Sequence, residues 1–405
     1  MKKTFCILLA LTMLFAAGCS NGTARFAVIA AKSVIAEKAE RVSAADTAKG
    51  FSELGLTERL FTALYEEGEN LAYSPVSIYL ALAMLAETAA GETREEILAA
   101  LGADGIEEVR SISKALLTGE TIKEEKAECS MANSLWMNES VGYIRPTLET
   151  IAEIYRTDSF SGNTADPSYS KALREWLDTK TNGLLKDGIK TVKLEPDTVL
   201  AIASTVYFDA EWRSEFEKKD NFEGVFRSPD GDVPCEFMYQ TDSLYYAEGE
   251  GFRAAGKSMM GDTVMWFILP DEGASLSSAL GGIAALDTDE FRSVKLTMPK
   301  LDVTSDIDLL PVFRRLGLSL CMDPYASDFS PLFEDPDGIF VSGARHAARV
   351  KADEKRVRAA AFTLITMDKA AAPSFEIEFT LDRPFIFVIT GASGAPLFVG
   401  AVNEP

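Results

Sequence analysis

The segment that most constrains this fold is a helix that is apolar on nearly all of its sides. It begins at Ser74-Pro75, where serine is a suitable N-cap and proline fits the first helical turn. The body of the helix, residues 78–90, presents almost no polar face. Other elements have to cover such a helix all around, so we expect it at the centre of a large fold.

The rest of the pattern separates helices from strands along the chain. Helical signals come early, at residues 56–64, 93–96 and 171–186. β-rich runs dominate the second half, at residues 199–208, 264–269, 294–298, 385–389 and 397–402. The first of these runs is too apolar for the edge of a sheet. Helices followed by strands are typical of an α+β fold rather than of βαβ winding.

We predict a single globular domain over residues 51–405. Its composition is uniform, and no Pro/Gly/Ser linker, low-complexity block or internal repeat interrupts it. Single domains of this length exist, so length alone does not require two. No later run is long enough for a membrane helix.

The N-terminus predicts export. Residues 1–18 read as a signal peptide, with a positive start, an apolar run and small residues at the end. The following Cys19 makes this end similar to the lipobox of bacterial lipoproteins, in which the cysteine is acylated, although Ala16 stands where leucine is usual. The alternative is an ordinary signal peptide that is cut nearby.

The lipoprotein interpretation predicts a secreted protein that a lipid on Cys19 anchors at a cell surface or on the periplasmic side of a membrane. Residues 19–50 would then form a flexible tether, because they offer little apolar surface to bury.

The formal charge of −22 excludes nucleic acid as a partner, because a nucleic-acid-binding protein needs basic stripes that displace counterions from phosphates. It also disfavours adhesion to anionic lipids, so membrane contact is expected only through the anchor. The remaining cysteines, Cys129, Cys235 and Cys321, are odd in number and widely spaced. They predict neither a disulfide framework nor a zinc site, and we expect no metal and no cofactor.

Residues 251–258, Gly-Phe-Arg-Ala-Ala-Gly-Lys-Ser, match the phosphate-binding loop pattern. That loop works only between a strand and a helix, whose N-terminal amides hold the phosphates. Here the pattern is followed by a turn and the β-rich run at 264–269. We therefore interpret the match as a coincidence and predict no nucleotide site.

The chain also lacks the residues of a hydrolase. A Ser–His–Asp triad needs a histidine, and the chain has only His346, in a strand-like stretch without a nucleophile elbow. This pattern favours a hydrogen-bonded core histidine. We predict that the protein is not an enzyme and has no catalytic residues.

Residues 351–375 form the unusual segment. Polar residues 353–356 lead into a run of small residues, and Asp368-Lys369 precede Ala370-Ala371-Ala372-Pro373. A mobile, small-residue segment between two strands is a protease target. The alternative is an ordinary surface loop.

Several sequence pieces in a fixed order resemble the serpins, a family of serine protease inhibitors. The first is residues 70–78, Asn-Leu-Ala-Tyr-Ser-Pro-Val-Ser-Ile. Others follow at residues 132–136, 176–183, 206–208, 212, 316–318, 328–330, 383–385 and 398–405. The resemblance covers essentially all of residues 51–405, and it rests on the joint order of pieces that are weak singly.

The resemblance implies three β-sheets, about nine helices and an exposed reactive-centre loop. In this family, a protease cleaves the loop and becomes acyl-linked to it, and the cut loop inserts into the central sheet. The native form is kinetically trapped, and insertion releases its strain. The chain would then be a suicide substrate of an extracellular serine or cysteine protease, and a monomer. The alternative from another class is a non-inhibitory, serpin-fold surface binding protein.

The resemblance also implies roles for individual residues. The shutter beneath the central sheet would comprise Ser74, Ser77 and His346, with Ser204 where asparagine is usual, a departure that would loosen the shutter. Trp212 would mark the breach where insertion begins, and Lys300 would pair with the hinge residue Glu354.

Inhibitory members resemble Glu-Glu-Gly-Thr-Glu-Ala-Ala-Ala-Ala-Thr at the hinge. This chain has Glu354, Lys355, Arg356, Val357, Arg358, Ala359, Ala360, Ala361, Phe362 and Thr363. Every second residue of a new strand becomes buried, which would turn Val357, Ala359, Ala361 and Thr363 inward and leave Arg356 and Arg358 in solvent. Insertion is therefore expected, slowed by the loss of the usual glycine.

The family spacing from Glu354 places the scissile bond at Ala370-Ala371. A small apolar residue there predicts an elastase-like protease. Lys369 is the alternative bait and would select a trypsin-like protease.

Overall fold

The computed structural model describes the backbone of residues 27–29 and the whole of residues 50–286, 290–357 and 377–405. Its longer helices precede most of the strands, as the pattern predicted. Residues 50–53 are helical. The other α-helices of the described residues are α1 (Leu56–Leu64), α2 (Pro75–Thr88), α3 (Gly91–Leu101), α4 (Ile106–Gly119), α5 (Arg145–Tyr155), α6 (Pro167–Lys180), α7 (Gly281–Ala284) and α8 (Leu310–Arg315).

The apolar helix predicted from residue 75 is α2. Ser74 is its N-cap and accepts a hydrogen bond from the Ser77 N–H, and proline occupies the first turn. Almost every residue of α2 is buried, as expected for a helix with no polar face. Its N-terminal turn lies under the central sheet, where the Ser77 hydroxyl donates a 2.9 Å hydrogen bond to the Ser204 carbonyl.

The central sheet has six strands within the described residues. They are β1 (Ala27–Ile29), β3 (Ile122–Glu124), β4 (Ala127–Asn138), β5 (Thr157–Gly162), β6 (Leu200–Glu211) and β14 (Arg356–Val357). The order is β1-β5-β4-β6-β14, and β3 pairs with β4. Strand β1 adds antiparallel to β5, with Val28 opposite Phe160. The prediction of a flexible tether over residues 19–50 is therefore wrong for residues 27–29, whose backbone hydrogen-bonds to the central sheet.

In the part of the chain that the structure describes, the second sheet has nine strands, in the order β15-β11-β8-β9-β10-β16-β17-β2, and β7 pairs with β8. It contains four of the five β-rich runs that the sequence predicted. Its strands are β2 (Leu71–Tyr73), β7 (Phe222–Ser228), β8 (Gly231–Gly249), β9 (Phe252–Ser258), β10 (Val264–Pro270), β11 (Phe291–Pro299), β15 (Ile377–Thr380), β16 (Phe385–Thr390) and β17 (Pro396–Val402).

The third sheet is the pair β12 (Leu301–Asp308) and β13 (Arg345–Ala352). A gap separates β13 from β6 of the central sheet, because no strand of the described residues pairs with the free edge of β13. On the edge of β6 that faces the gap, the described residues form only two pairs, between Ala210 and Glu211 and the two residues of β14. Residues 200–204 of β6 are accordingly only half-buried. The apolar run at 199–208 was predicted to avoid a sheet edge, and over most of its length this prediction is wrong.

The architecture is α+β with three sheets, as predicted. Within the part of the chain that the structure describes, no helix is long and apolar enough to cross a membrane.

Candidate functional site

The N-terminal turn of α2 touches both sides of the gap between β6 and β13. The Ser74 N–H donates a 3.0 Å hydrogen bond to Nε2 of His346 on β13, and the Ser77 hydroxyl bonds β6 at Ser204. Ser74 and Ser77 are themselves joined by the N-cap bond. The structure therefore brings together the four residues predicted for the shutter.

The hydroxyl of Ser204 is buried and has no hydrogen-bond partner among the described residues. Its backbone carbonyl carries the whole contact to Ser77. A buried hydroxyl without a partner weakens the cluster, because the desolvated group gains no bond in return. That serine at this position loosens the shutter stays a prediction.

His346 is a structural hydrogen-bond acceptor. Its side chain is buried, and burial lowers the pKa of the imidazole to about 4. Because Nε2 accepts the Ser74 N–H, the neutral ring carries its proton on Nδ1. A neutral imidazole that is closed off from solvent is the core histidine that the sequence predicted.

Trp212 ties the end of β6 to the segment that follows β13. Its backbone N–H donates to the Lys355 carbonyl at 3.1 Å, and its indole N–H donates to the Asp353 carbonyl at 2.8 Å. Four residues further along the chain, the Phe216 N–H donates to the Glu354 carbonyl at 2.8 Å. Three bonds thus fix the chain where it leaves β13.

The predicted partner of the hinge acid is in place. Nζ of Lys300 lies 2.9 Å from Oε1 of Glu354 and 2.5 Å from Oε2 of Glu236. Asn221 donates to both carboxylates, at 2.7 and 2.9 Å. Partial burial acts to raise the pKa of Glu354, but the hydrogen bonds from Lys300 and Asn221 outweigh it, so the pKa is lowered.

The hinge then reverses direction in a tight turn. Oδ1 of Asp353 accepts the N–H groups of Lys355 and Arg356 at 2.9 and 3.1 Å, and the Asp353 N–H donates to the Arg356 carbonyl. This turn starts β14, which pairs antiparallel with β6 and places Val357 opposite Ala210. Val357 is buried at 4% exposure, so it faces inward as alternation predicted.

Arg356 lies on the opposite face from Val357, as expected, but it is not in solvent. Its side chain is 16% exposed and faces Glu211, its cross-strand neighbour on β6. The prediction of a solvated Arg356 is wrong because Glu211 lies directly opposite it on β6. The available signal was the alternation of Asp209 and Glu211, which puts two carboxylates on one face of β6 opposite a basic hinge.

Other predicted site residues lie outside the described residues. They are Cys19, the bait residues Lys369, Ala370 and Ala371, and the hinge residues Arg358, Ala359, Ala360, Ala361, Phe362 and Thr363.

The phosphate-loop pattern lies on a strand. Residues 252–258 form β9, and β10 follows after a short turn. The pattern's lysine, Lys257, is 1% exposed and bonds Gln240 at 2.8 Å and Asp242 at 3.3 Å. No helix N-terminus follows the pattern, as predicted, so the feature that holds phosphates is missing here.

The described residues contain no cluster of three or more histidine, cysteine or acidic side chains that could hold a metal. The described cysteines, Cys129, Cys235 and Cys321, are free thiols. Burial raises the pKa of the Cys321 thiol to about 12, so it does not resemble an activated nucleophile.

The described residues thus combine a gapped central sheet, a helical turn that contacts both edges of the gap and a hinge segment that turns into it. The chain belongs to the serpin family. The family profile described as "Serpin (serine protease inhibitor)" matches residues 53–405.

Known proteins agree with this assignment. Serpin-Z1A of Triticum aestivum is 28% identical over 360 residues, covering 83% of this chain and 90% of its own. The plasma serine protease inhibitor of Bos taurus is 29% identical over 354 residues, covering 83% and 86%.

Solved structures show the same fold. The thermophilic serpin tengpin in its native state has a TM-score of 0.77 and 27% identity, covering 93% of this chain and 96% of its own. A thyroxine-binding globulin in complex with thyroxine has a TM-score of 0.73 and 22% identity, covering 90% and 99%. At that identity, the second likeness concerns the fold alone.

Proposed function

We propose that this serpin inhibits an extracellular serine or cysteine protease as a suicide substrate. The protease would cleave the reactive-centre loop, and the cut loop would insert between β6 and β13 before the acyl bond is hydrolysed. An elastase-like target fits Ala370 as the bait, and Lys369 would select a trypsin-like one.

The observation that carries this proposal is the pairing of β14 with β6. The hinge already runs antiparallel to β6, with Val357 turned inward, and the rest of this edge of β6 pairs with no strand of the described residues. Continuation of this register would turn Ala359, Ala361 and Thr363 to the same inner face, where small side chains are needed. A surface loop with no role in insertion would not need this parity.

The thermal stability of the cleaved protein tests the proposal. We expect cleavage between residues 366 and 372 to raise the melting temperature sharply, because the cut loop can then complete the sheet. The control is protein incubated with protease that was inactivated beforehand. Mass spectrometry verifies the cleavage. An unchanged melting curve of the cleaved protein would contradict the inhibitory proposal and favour a non-inhibitory binding protein.

We also propose that the chain is an exported lipoprotein that works as a monomer at the membrane surface. The sequence of residues 16–19 supports this, because small residues precede a cysteine at the end of an apolar run. Labelled palmitate should be incorporated into the wild-type chain in a bacterial host and not into Cys19→Ser. Equal labelling of both would contradict acylation at Cys19.

A further inference from the structure

We propose that Glu211 is a positioning residue, whose buried carboxylate holds the basic hinge on β6 so that the first strand pair of insertion exists before a protease arrives. This inference rests on the proposed function, because it names the residue that governs how readily the loop inserts.

The burial of Glu211 carries the first step. Its side chain is 1% exposed, and three cationic groups converge on its carboxylate. Nζ of Lys355 lies at 2.9 Å, and Nζ of Lys126 and Nη2 of Arg356 each lie at 3.5 Å. A desolvated carboxylate is costly unless cations compensate it. Two of these three cations belong to the hinge, so the compensation depends on the hinge lying against β6.

The register gives the second step. Glu211 and Arg356 are directly opposite each other, as are Ala210 and Val357. Directly opposed side chains are the closest pairs across two strands. A slip by one residue would turn Val357 outward and carry a cation toward the core. The charge contact on the outer face therefore selects the register that points the small residues inward.

Backbone contacts fix Glu211 itself. Its N–H donates to the Lys126 carbonyl at 3.0 Å, and the next residue, Trp212, donates to the Lys355 carbonyl. The carboxylate thus stands between two anchored strands. The hinge pattern of inhibitory members has glycine at the position of Arg356. The hinge accommodates arginine here because the Arg356 side chain has a buried counter-charge.

The consequence concerns a kinetic competition. Loop insertion has to be faster than hydrolysis of the acyl bond. Its first strand pairs cost loop-closure entropy, which only the later pairs offset. With the pairs at residues 356 and 357 already formed, insertion only has to propagate. Without the carboxylate, Lys126, Lys355 and Arg356 would repel one another and push the hinge away from β6. More of the cleaved serpin would then escape without trapping the protease.

Hydrogen exchange in the uncleaved protein tests the positioning role directly. The variants are Glu211→Gln, Lys355→Gln and their combination, and the control is Glu128→Gln, which removes an exposed carboxylate from the neighbouring strand β4. We expect the peptide containing Arg356 and Val357 to exchange about tenfold faster in both single variants, because their backbone pairing opens. The double variant should exchange no faster than Glu211→Gln, because both changes remove the same contact.

The second readout is the stoichiometry of inhibition of pancreatic elastase. We expect it to rise at least about twofold in Glu211→Gln and to stay at the wild-type value in Glu128→Gln, because slower insertion lets more acyl bonds hydrolyse. Unchanged exchange would overturn the inference, as would faster exchange with an unchanged stoichiometry.

The Lys355→Gln variant keeps the test decisive if Glu211→Gln does not fold, because the Lys355 side chain is 37% exposed and its loss leaves the core intact. If the wild-type protein neither traps a protease nor gains stability on cleavage, the proposed function fails. The exchange measurement still decides, in that event, whether Glu211 holds the hinge.

Discussion

The register of the hinge on β6 predicts the effect of one substitution, Ala361→Arg. Val357 pairs with Ala210, so a strand that continues antiparallel places Ala361 opposite Val206. Val206 is 9% exposed and belongs to the apolar core on the inner face of the sheet. An arginine at this position would enter that core without a counter-charge.

The expected penalty is large. Leaving an uncompensated charge in a buried site costs about 4 kcal/mol, which lowers the equilibrium constant for insertion roughly 1,000-fold. If only a third of this penalty is already felt in the transition state of insertion, insertion slows about tenfold. Hydrolysis of the acyl bond would then win, and the variant would behave as a substrate.

The assay is the formation of SDS-resistant complexes with pancreatic elastase. Ala360→Arg is the matched control, because the same register places Ala360 opposite Tyr207, on the outer face that also carries Asp209. We expect complexes from the wild type and from Ala360→Arg, and only cleaved serpin from Ala361→Arg. Complex formation by Ala361→Arg, or equal loss in both variants, would refute the inward assignment of Ala361.

Three further predictions concern single residues. Burial lowers the pKa of His346 to about 4, below its ordinary value of 6.5. As the pH falls, the histidine of the unfolded chain is therefore protonated before that of the folded protein. The unfolding free energy should fall by about 3 kcal/mol between pH 6.5 and 4. Urea unfolding at both ends of this window should show the loss in the wild type and a flatter profile in His346→Gln; equal profiles would contradict it. Burial lowers the pKa of Lys257 from 10.5 to about 8, so the unfolded chain gains its proton first as the pH falls through this window, and the lysine destabilises the fold below pH 8. Lys257→Met should therefore raise the unfolding free energy at pH 7 by up to about 3 kcal/mol. An unfolding free energy below that of the wild type would show that the contact of Lys257 with Asp242 outweighs the cost of desolvation. Elastase should release a peptide that begins at Ala371; one that begins at Ala370 would show that Lys369 is the bait.

Local patterns predicted much of the fold. The N-cap and proline located the start of α2, and its lack of a polar face predicted its burial. The β-rich runs located β6, β10, β11, β16 and β17, because buried strands read as short apolar segments. The helical signal at 171–186 extends beyond the end of α6 at Lys180, because Asn182 and Gly183 adopt positive φ values that end the helix. Which strands pair could not be read from these runs, since pairing depends on contacts between distant parts of the chain.

The candidate site divides in the same way. Ser74, Ser77 and His346 were found through sequence order, and alternation gave the inward face of Val357. Glu211 was missed because the hinge that it contacts is more than a hundred residues away in the chain, and a lone carboxylate on a strand carries no local signature. Only the strand register shows that it faces Arg356.

The match to a nucleotide-binding pattern has a structural cause of its own. Gly251 adopts φ +82 in a turn, and a Cβ on Gly256 would lie 2.7 Å from the Trp266 ring. Each glycine is thus required by the sheet, for a different reason.

If Cys19 carries the proposed lipid, the pairing of β1 with β5 would limit how far the domain can stand from a bilayer. Ala27 follows Cys19 by eight residues, which reach less than about 30 Å even when fully extended. A domain of this size is about 50 Å across, so the linker between Cys19 and β1 is shorter than the diameter of the domain. With the proposed lipid on Cys19, the β5 side of the molecule would rest near the headgroups. Proteases would have to approach from the sides that face away from the membrane.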